Sequence, residues 1–364
     1  MSHLLSLFQS TGAVVLTLGL VIFLHEFGHF ILCRRLGVRV ERLSFGFGPE
    51  LLGVTKGPTR YSICAIPLGG YVKPAGEDVE SATGAPDEYF SQSWKRRLLI
   101  VAAGPAMNYV LAFGIFSGSA YIQGLPKPST EPVIGNLAEG YPAQTAGLEL
   151  GDRITAVDGA AVATWSEMST AVHARADKSV SLTFKRNGRS RTISIRPRKD
   201  PATGRGLIGI LPQTLYDRPG LLGSVVDGAQ ECWRLTEMTV ETIASKIAHR
   251  QRPDLAGPVG IVQMVSRAAK SGFGDLVYLI GVLSVAIGFF NILPVPILDG
   301  GHAAFYLWEG VSGHKPTRDL VAKANSVGLA LLFSLLLFAT YNDIRRLAAR
   351  PSPAAAPSVA PKTP

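Results

Sequence analysis

The sequence is poor in charge and in cysteine. Only 17% of its 364 residues are charged, whereas about 25% are charged in an average soluble protein, and the mean hydropathy is +0.23. A wholly soluble enzyme is therefore not expected. The 3 cysteines include no C-x-x-C pair, which excludes a disulfide framework, a zinc ribbon and a thiol redox motif.

The charge that is present is mostly positive. The 36 lysines and arginines outnumber the 27 acidic residues, which leaves a net charge of +9. Such an excess suits anionic lipid headgroups or nucleic acid, so the positions of the basic residues matter more than their number. Because these residues flank long apolar runs, we expect the lipid bilayer, and no nucleic acid, as a partner.

Long uncharged runs are abundant in this sequence. A helix needs about 20 residues to cross the hydrocarbon core of a bilayer, and four uncharged runs of 19 to 29 residues meet this length. They predict transmembrane helices within 1–33, 98–126, 276–298 and 324–343. The first run lacks the basic start and the cleavage site of a signal peptide. Four buried helices of a large soluble domain are the alternative, which the scarcity of charge disfavours.

Basic residues lie on the same side of the first two runs. They follow the first run at Arg34, Arg35, Arg39 and Arg42, and they precede the second at Lys95, Arg96 and Arg97. Under the positive-inside rule the segment 34–97 is cytoplasmic, and both the N-terminus and the segment between the second and third runs lie outside. The last run has basic residues at both ends, so its charge does not orient it. Because four spans that start from an external N-terminus return the chain to the outside, we expect an external C-terminus.

The segment 34–97 predicts β-structure rather than helix. Alternating polarity over 38–45 and a β-rich stretch over 61–66, with glycine and proline nearby, are typical of strands. We therefore expect a β-rich loop on the cytoplasmic side, associated with the membrane.

The segment 130–213 predicts a compact domain outside the membrane. Its series A-x-x-A-G-L, G-D-x-I and V-D-G, which starts at Ala143, resembles a bacterial PDZ domain. A different β-rich domain is the alternative. Asn187 and Gly188 between two alternating runs predict a hairpin, after a helical stretch near 165–175.

Three further segments complete the chain. Apolar residues recur at helical spacing from Leu222 to Ile247, so 218–275 predicts an amphipathic helix and a linker. This helix would lie on the outer membrane surface or pack against the spans, and we favour packing. The segment 299–323 is expected to be a cytoplasmic loop, and the Pro- and Ala-rich tail 350–364 to be disordered.

One motif at the end of the first run carries chemistry. His25-Glu26-Phe27-Gly28-His29 fits H-E-x-x-H, in which two histidines on one helix face bind a metal ion and the glutamate beside them acts as base. Ionisable groups in an apolar span are costly, about 2.5–3.5 kcal/mol for a charge at the helix centre. A plain membrane anchor would not carry them, and a polar cluster that merely ends the span is the alternative.

A third ligand must come from elsewhere, because catalytic zinc takes three protein ligands and leaves one position for water. Asp299 follows the third run, where Pro294 and Pro296 interrupt the helix. By the topology above, it lies at the same cytoplasmic depth as the two histidines, so we predict Asp299 as the third ligand. His302 is a rival, and an ordinary interfacial histidine is its other interpretation.

Together these pieces resemble the site-2 protease family of intramembrane zinc metalloproteases. The resemblance rests on H-E-F-G-H in the first run, on N-x-L-P-x-P-x-L-D-G from Asn291, and on the PDZ-like segment. Shorter matching pieces lie at 46–48, 67–72, 103–108 and 257–261. The match covers about residues 10–347, and the nearest type is the bacterial regulator-of-sigma-E protease. The best-known enterobacterial members have two PDZ domains, whereas 130–213 holds one, so this departure concerns which substrates are admitted.

The resemblance implies a fold and an activity. The fold is a polytopic α-helical membrane protein with four transmembrane helices, a membrane-associated β-rich loop on the cytoplasmic side and one periplasmic PDZ domain, in the bacterial inner membrane. The activity is hydrolysis of peptide bonds within or near the transmembrane segments of single-span proteins, in regulated intramembrane proteolysis. The implied substrates are anti-sigma factors already cut by a periplasmic protease, or signal-peptide remnants.

The resemblance also implies roles for individual residues. The ligands of Zn²⁺ would be His25, His29 and Asp299. Glu26 would take a proton from the attacking water and return it to the leaving amine. Asn291 and Asn108 would bind substrate or stabilise the oxyanion, or else form interhelical hydrogen bonds.

The PDZ-like segment has its glycine-rich loop in an unusual place. A PDZ domain binds a peptide C-terminus through backbone N–H groups of such a loop and pairs the peptide as an added strand. No suitable loop precedes the A-x-x-A-G-L piece, so we expect a circularly permuted PDZ domain whose groove is formed by Gly206, Leu207, Ile208, Gly209 and Ile210. The alternative is that these glycines only shape a connector. Capture of a C-terminus and exclusion of bulky substrates both remain open as tasks of the domain.

Two other functions would use the same residues. A scaffold that only captures membrane partners would not need H-E-x-x-H together with Asp299. A metal transporter would place further acidic residues along a path, and the second and fourth runs contain none. We therefore favour the protease.

Overall fold

The computed structural model describes residues 2–77, 82–201, 203–249 and 257–348. The chain divides into two compact units. The helical unit comprises Met1–Ser119 and Val225–Pro364, and the strand-rich module comprises Ala120–Ser224. The tail 350–364, predicted to be disordered, lies outside the described residues.

Helices and strands follow one another along the chain as three groups. The first group is α1 Ser2–Arg35, β1 Val40–Lys56, β2 Thr59–Pro74 and α2 Trp94–Ile122. The second is β3 Leu125–Pro128, β4 Ile134–Leu137, α3 Pro142–Thr145, β5 Arg153–Val157, β6 Ala160–Ala161, α4 Trp165–His173, β7 Val180–Arg186, β8 Arg189–Ile195, β9 Arg198–Lys199, β10 Gly206–Leu207, β11 Ile210–Pro212 and β12 Thr214–Asp217. The third is α5 Leu221–Ala248, α6 Pro258–Ser271, α7 Phe273–Ile292, α8 Asp299–Ser312 and α9 Arg318–Ala348.

Among the described residues, four helices are long and apolar enough to cross a membrane, namely α1 from Ser10 onward, α2, α7 and α9. This result confirms the four apolar helices predicted from the uncharged runs. The third helix is shorter than predicted, because α7 ends at Ile292 rather than at residue 298. Pro294 and Pro296 have no N–H group with which to continue the helical hydrogen bonds.

The segment 299–323, predicted to be a loop, begins instead with helix α8. Gly300 and Gly301 suggest a turn by their low helix propensity, yet both lie in the first turn of α8. A Cβ at Gly300 would overlap the carbonyl of Ile292, and a Cβ at Gly301 would overlap that of Val295. The two glycines therefore allow α8 to begin directly against the end of α7.

The prediction for 218–275 was wrong in two respects. Its linker contains a second helix, α6, and the apolar face of α5 is not the face that packs. That apolar face is exposed at Leu222, Val225, Val226, Trp233, Val240 and Ile247. Contacts with other helices come from the opposite face, where Gly228 lies against Ser117 of α2 and Glu231 accepts a hydrogen bond from Tyr278 of α7.

Strands β1 and β2 form a long hairpin that bends back on itself. Leu43 pairs with both Tyr61 and Val72, so the start of β1 lies between two stretches of β2. At the bend, Gly46 has φ +88°, and a Cβ there would lie 2.7 Å from the Ile66 carbonyl oxygen, so this position requires glycine. Among the described residues no strand pairs with the outer side of the stretch 70–74, which leaves it as an edge strand.

The strand-rich module is built on an antiparallel sheet of order β6-β5-β7-β8. The turn between β7 and β8 has Asn187 at φ +51° and Gly188 at φ +78°, as the predicted Asn-Gly hairpin requires. Alternate residues of β7 face the apolar core, which also contains side chains of α4. These inward residues of β7 are Val180, Leu182 and Phe184.

Candidate metal centre

Two histidines of α1 and one aspartate of α8 converge on one point. His25 and His29 are one helical turn apart, and their Nε2 atoms lie 3.3 Å from each other. Oδ2 of Asp299 lies 3.0 Å from Nε2 of His25 and 3.5 Å from Nε2 of His29. The structure thus brings together the three residues that the sequence indicated as ligands, although 270 positions separate the last two of them.

The geometry of these three atoms fits zinc. Zinc bonds of about 2.0–2.1 Å in a tetrahedral site place ligand atoms about 3.3 Å apart, close to the three separations found here. Oδ2 of Asp299 is buried, and no hydrogen bond of acceptable geometry reaches it from the described residues. A Cβ at Gly104 of α2 would overlap Nε2 of His29. The cluster therefore has three converging ligand atoms, and the missing side chain of Gly104 leaves space for an ion beside them.

Each histidine has a second partner at its Nδ1 atom. Nδ1 of His29 donates to the carbonyl of Ile100 at 2.8 Å, which leaves the lone pair of Nε2 free to bind a metal. Nδ1 of His25 lies 3.2 Å from the amide nitrogen of Asn108. Both partners belong to α2. The stretch 100–108 of α2, which includes the matching piece 103–108, therefore builds the wall behind the cluster, a role that the motif alone did not indicate.

Glu26 lies between the two histidines on α1 and contacts the hairpin. Its Oε2 accepts a hydrogen bond from the backbone N–H of Val72 at 3.1 Å. Val72 belongs to the edge stretch 70–74 of β2, so an open strand edge lies next to the carboxylate. Sequence patterns did not indicate this contact, because a backbone N–H has no side-chain signature.

The remaining predicted residues of the helical unit lie outside the cluster. His302 is not one of the converging ligands, and burial lowers the pKa of its imidazole. The amide of Asn291 donates to the carbonyl of Ile287 in its own helix at 3.0 Å. Asn108 is 0% exposed and contacts His25 rather than open surface.

Of the five residues predicted to form the groove of the module, three pair with neighbouring strands and one is buried in the core. Gly206 and Leu207 pair with β9, and Ile210 pairs with Leu137 of β4. A Cβ at Gly206 would lie 2.9 Å from the Val172 carbonyl oxygen, so this stretch passes close to α4. Ile208, expected to face or border a groove, instead packs in the apolar core and is 3% exposed.

Known proteins similar to this chain agree on one family. The model of peptidase family M50 matches residues 13–335. A protein of Clostridium acetobutylicum, named as a zinc metalloprotease, is 34% identical over 331 residues, which cover 91% of this chain and 96% of that one. The Regulator of sigma-W protease RasP of Bacillus subtilis is 28% identical over 415 residues, which cover 92% and 98% of the two chains.

The solved structures that resemble this chain include small bacterial domains. The PDZ domain of an SdrC-like protein from Listeria innocua matches 24% of this chain and 99% of that one, with 26% identity and a TM-score of 0.21.

Proposed function

Because the chain belongs to peptidase family M50, the site-2 protease family of zinc metalloproteases, we propose that it cleaves single-span membrane proteins within or near their transmembrane segments. The observation that carries this proposal is the position of the ligand cluster. His25 and His29 lie on a helix that is long and apolar enough to cross a membrane, and Asp299 begins the helix that follows another such span. A protease with its ligands on such helices is suited to substrates in the same membrane.

The chemistry follows from the residues around the cluster. His25, His29 and Asp299 would hold zinc, which would supply a Lewis acid that activates a water and polarises the scissile carbonyl. Glu26 takes the proton of the attacking water and returns it to the leaving amine. The N–H of Val72 holds the Glu26 carboxylate in place through one of its oxygens. Among the described residues none donates a hydrogen bond to the other oxygen, which can therefore take the proton.

The hairpin provides a way to present the substrate. A helical substrate hides its peptide bonds in i→i−4 hydrogen bonds, so it must be unwound locally before cleavage. We infer that the unwound segment adds as a strand to the edge 70–74. The contact between Val72 and Glu26 supports this inference, because it places the edge beside the catalytic base. The substrate strand would pair with edge groups of 70–74 other than the Val72 N–H, which the Glu26 carboxylate occupies.

The proposal also covers the cellular location of the protein and the classes of its substrates. By the distribution of basic residues, the chain is a multi-pass protein of the bacterial inner membrane, with the hairpin on the cytoplasmic side and the module outside. The Bacillus subtilis relative is named as a regulator of sigma-W protease. This name supports anti-sigma factors already trimmed outside the membrane as substrates, and signal-peptide remnants are the second candidate class.

The module would select among such substrates. We infer that the stretch 206–210, which runs beside α4, borders a permuted PDZ groove through its half-buried residues Leu207, Gly209 and Ile210. Gly206 packs against the Val172 carbonyl and Ile208 is buried in the core, so these two residues support the stretch from behind. A peptide C-terminus exposed by a first cleavage is the ligand that such a groove recognises. Exclusion of bulky, uncut substrates is the other way in which the module would act.

A substitution of Glu26 tests the proposal. We expect Glu26→Gln to retain zinc in purified protein, because it removes the base and no ligand, and to lower the cleavage rate by about 10²–10⁴-fold. The same chemical change at Glu139, an exposed residue of the module, is the matched control and should leave the rate unchanged. Full cleavage by Glu26→Gln in a reconstituted assay would remove the assignment of the base.

A further inference from the structure

A stripe of three α2 residues faces the candidate metal centre. Ile100, Gly104 and Asn108 are spaced by four, so they share one face of the helix. Ile100 accepts the Nδ1–H of His29, Gly104 leaves space beside Nε2 of the same histidine, and Asn108 contacts His25. Ile100 makes its contact through a backbone carbonyl, and Gly104 contributes only the space left by its missing side chain. Of the three, Asn108 is the residue whose side chain makes the contact.

The contact between Asn108 and His25 has a requirement set by the metal. A metal at Nε2 of His25 takes the lone pair of that atom, so the imidazole must carry its proton on Nδ1. A protonated Nδ1 needs an acceptor, whereas the amide nitrogen of Asn108, which now lies 3.2 Å away, is a donor. Oδ1 of Asn108 is buried, and among the described residues it has no hydrogen-bond partner.

We propose that Asn108 is the positioning residue of His25, and that its amide turns over so that Oδ1 accepts the Nδ1–H when a metal is bound. One rotation about the Cβ–Cγ bond satisfies both the imidazole proton and the orphaned Oδ1. An amide is suited to this position because it offers a donor or an acceptor to either tautomer of the imidazole. The inference rests on the proposed metal-binding function of the cluster.

Neighbouring residues of α7 hold Asn108 by its backbone carbonyl and Cβ, and they do not engage its side-chain amide. Ser284 of α7 donates a hydrogen bond to the Asn108 carbonyl at 2.9 Å, and Gly288 allows α7 to approach, since a Cβ there would lie 3.2 Å from the Asn108 Cβ. Asn108 and Ser284 are both 0% exposed. A substrate bound at an open surface would not reach this buried amide. We therefore assign the amide a role in positioning His25 rather than in binding substrate.

Two substitutions at residue 108 and one matched control test the proposal. Asn108→Leu removes the acceptor, so we expect zinc affinity, measured by competition with a chelator on purified full-length protein, to fall by about 10–100-fold. Asn108→Asp keeps an acceptor oxygen and should bind zinc within a few-fold of the wild type. Ser284→Ala removes a buried hydrogen bond at the same place without touching the imidazole, and its zinc affinity should not change.

Several outcomes would overturn the proposal. Wild-type zinc affinity in Asn108→Leu, with a raised KM alone, would make Asn108 a substrate-binding residue. Equal losses in Asn108→Leu, Asn108→Asp and Ser284→Ala would make it a packing residue. If thermal unfolding shows that Asn108→Leu does not fold, Asn108→Ala takes its place in the same comparison. A wild-type protein that binds no zinc would contradict the proposed function itself, which distinguishes that failure from failure of the Asn108 assignment.

Discussion

The two units of this protein both have apolar cores, but they differ in what they expose and in how many polar side chains they bury. The core of the strand-rich module consists of apolar residues such as Ile154, Leu182 and Phe184. The helical unit leaves apolar residues such as Leu331 exposed on α9, while its interior contains polar residues. Buried polar residues of the helical unit include Thr17, His25, Asn108 and Ser284.

The difference is the one expected if the helical unit lies in a membrane, as we propose, and the module lies in water. In water, an apolar side chain gains free energy by leaving the surface. In hydrocarbon that gain disappears, and helices associate through close packing and interhelical hydrogen bonds instead. The close approach of Gly28 to the Ala103 carbonyl and the bond from Ser284 to Asn108 are contacts of this second kind. The polar groups of the metal centre are therefore held by contacts of the same kind as those that hold the helices together.

The largest expected effect concerns the polar interior of the helical unit. Asp299→Asn replaces an anionic ligand by a neutral one, so both zinc content and cleavage rate should fall, the rate by about 10²-fold or more. Zinc can be counted by mass spectrometry of the purified protein. Asp319→Asn, an exposed aspartate paired with Lys323 on α9, is the control. Normal zinc and rate in Asp299→Asn would mean that His302 or a water completes the site.

The second expected effect concerns the apolar core of the module. Ile208→Asp places an unpaired charge in that core, and we expect it to destabilise the module by about 3–5 kcal/mol while zinc content stays normal. Limited proteolysis of the full chain would report the unfolding. Ile208→Val, which should cost only about 0.5–1.5 kcal/mol, is the control. If Ile208→Asp leaves the module resistant to protease, Ile208 is not the core residue described above.

The smallest expected effect compares two exposed leucines. Leu331 of α9 is 55% exposed and Leu150 of the module is 64% exposed, yet they face different solvents if the account is right. Leu331→Asp should cost about 2.5–3.5 kcal/mol and lower the fraction of chain that inserts into bilayers, whereas Leu150→Asp should change stability by less than about 0.5 kcal/mol. Equal and negligible effects at both positions would contradict the assignment of α9 as a membrane span.

Local patterns in the sequence were sufficient for some of these features. Uncharged runs predict the apolar helices because hydrocarbon excludes charge over a fixed length, and the Asn-Gly pair predicts the module's hairpin because its turn requires positive φ at both positions. H-E-x-x-H places two histidines on one face through helix geometry alone. Asp299 could be proposed because the topology inferred from the basic residues places it at the same depth as the two histidines.

Features that depend on tertiary contact were not predicted, for physical reasons. Gly300 and Gly301 indicate a turn by propensity, but their close approach to the end of α7 keeps them helical. The amphipathic pattern of α5 does not say whether water, lipid or protein covers its apolar face, so the packing face was assigned wrongly. Asn108 lies 83 positions from His25, and a single asparagine has no local pattern that predicts its partner.

The position of the scissile bond tests the central claim most directly. Wild-type protein would be reconstituted into liposomes with a single-span substrate whose external domain has been removed, and the products would be identified by mass spectrometry. The account predicts a cut within or at the border of the apolar segment, which stops on zinc chelation and returns on addition of zinc. Cuts confined to the soluble flanks, or cleavage that persists after the zinc has been removed, would contradict it.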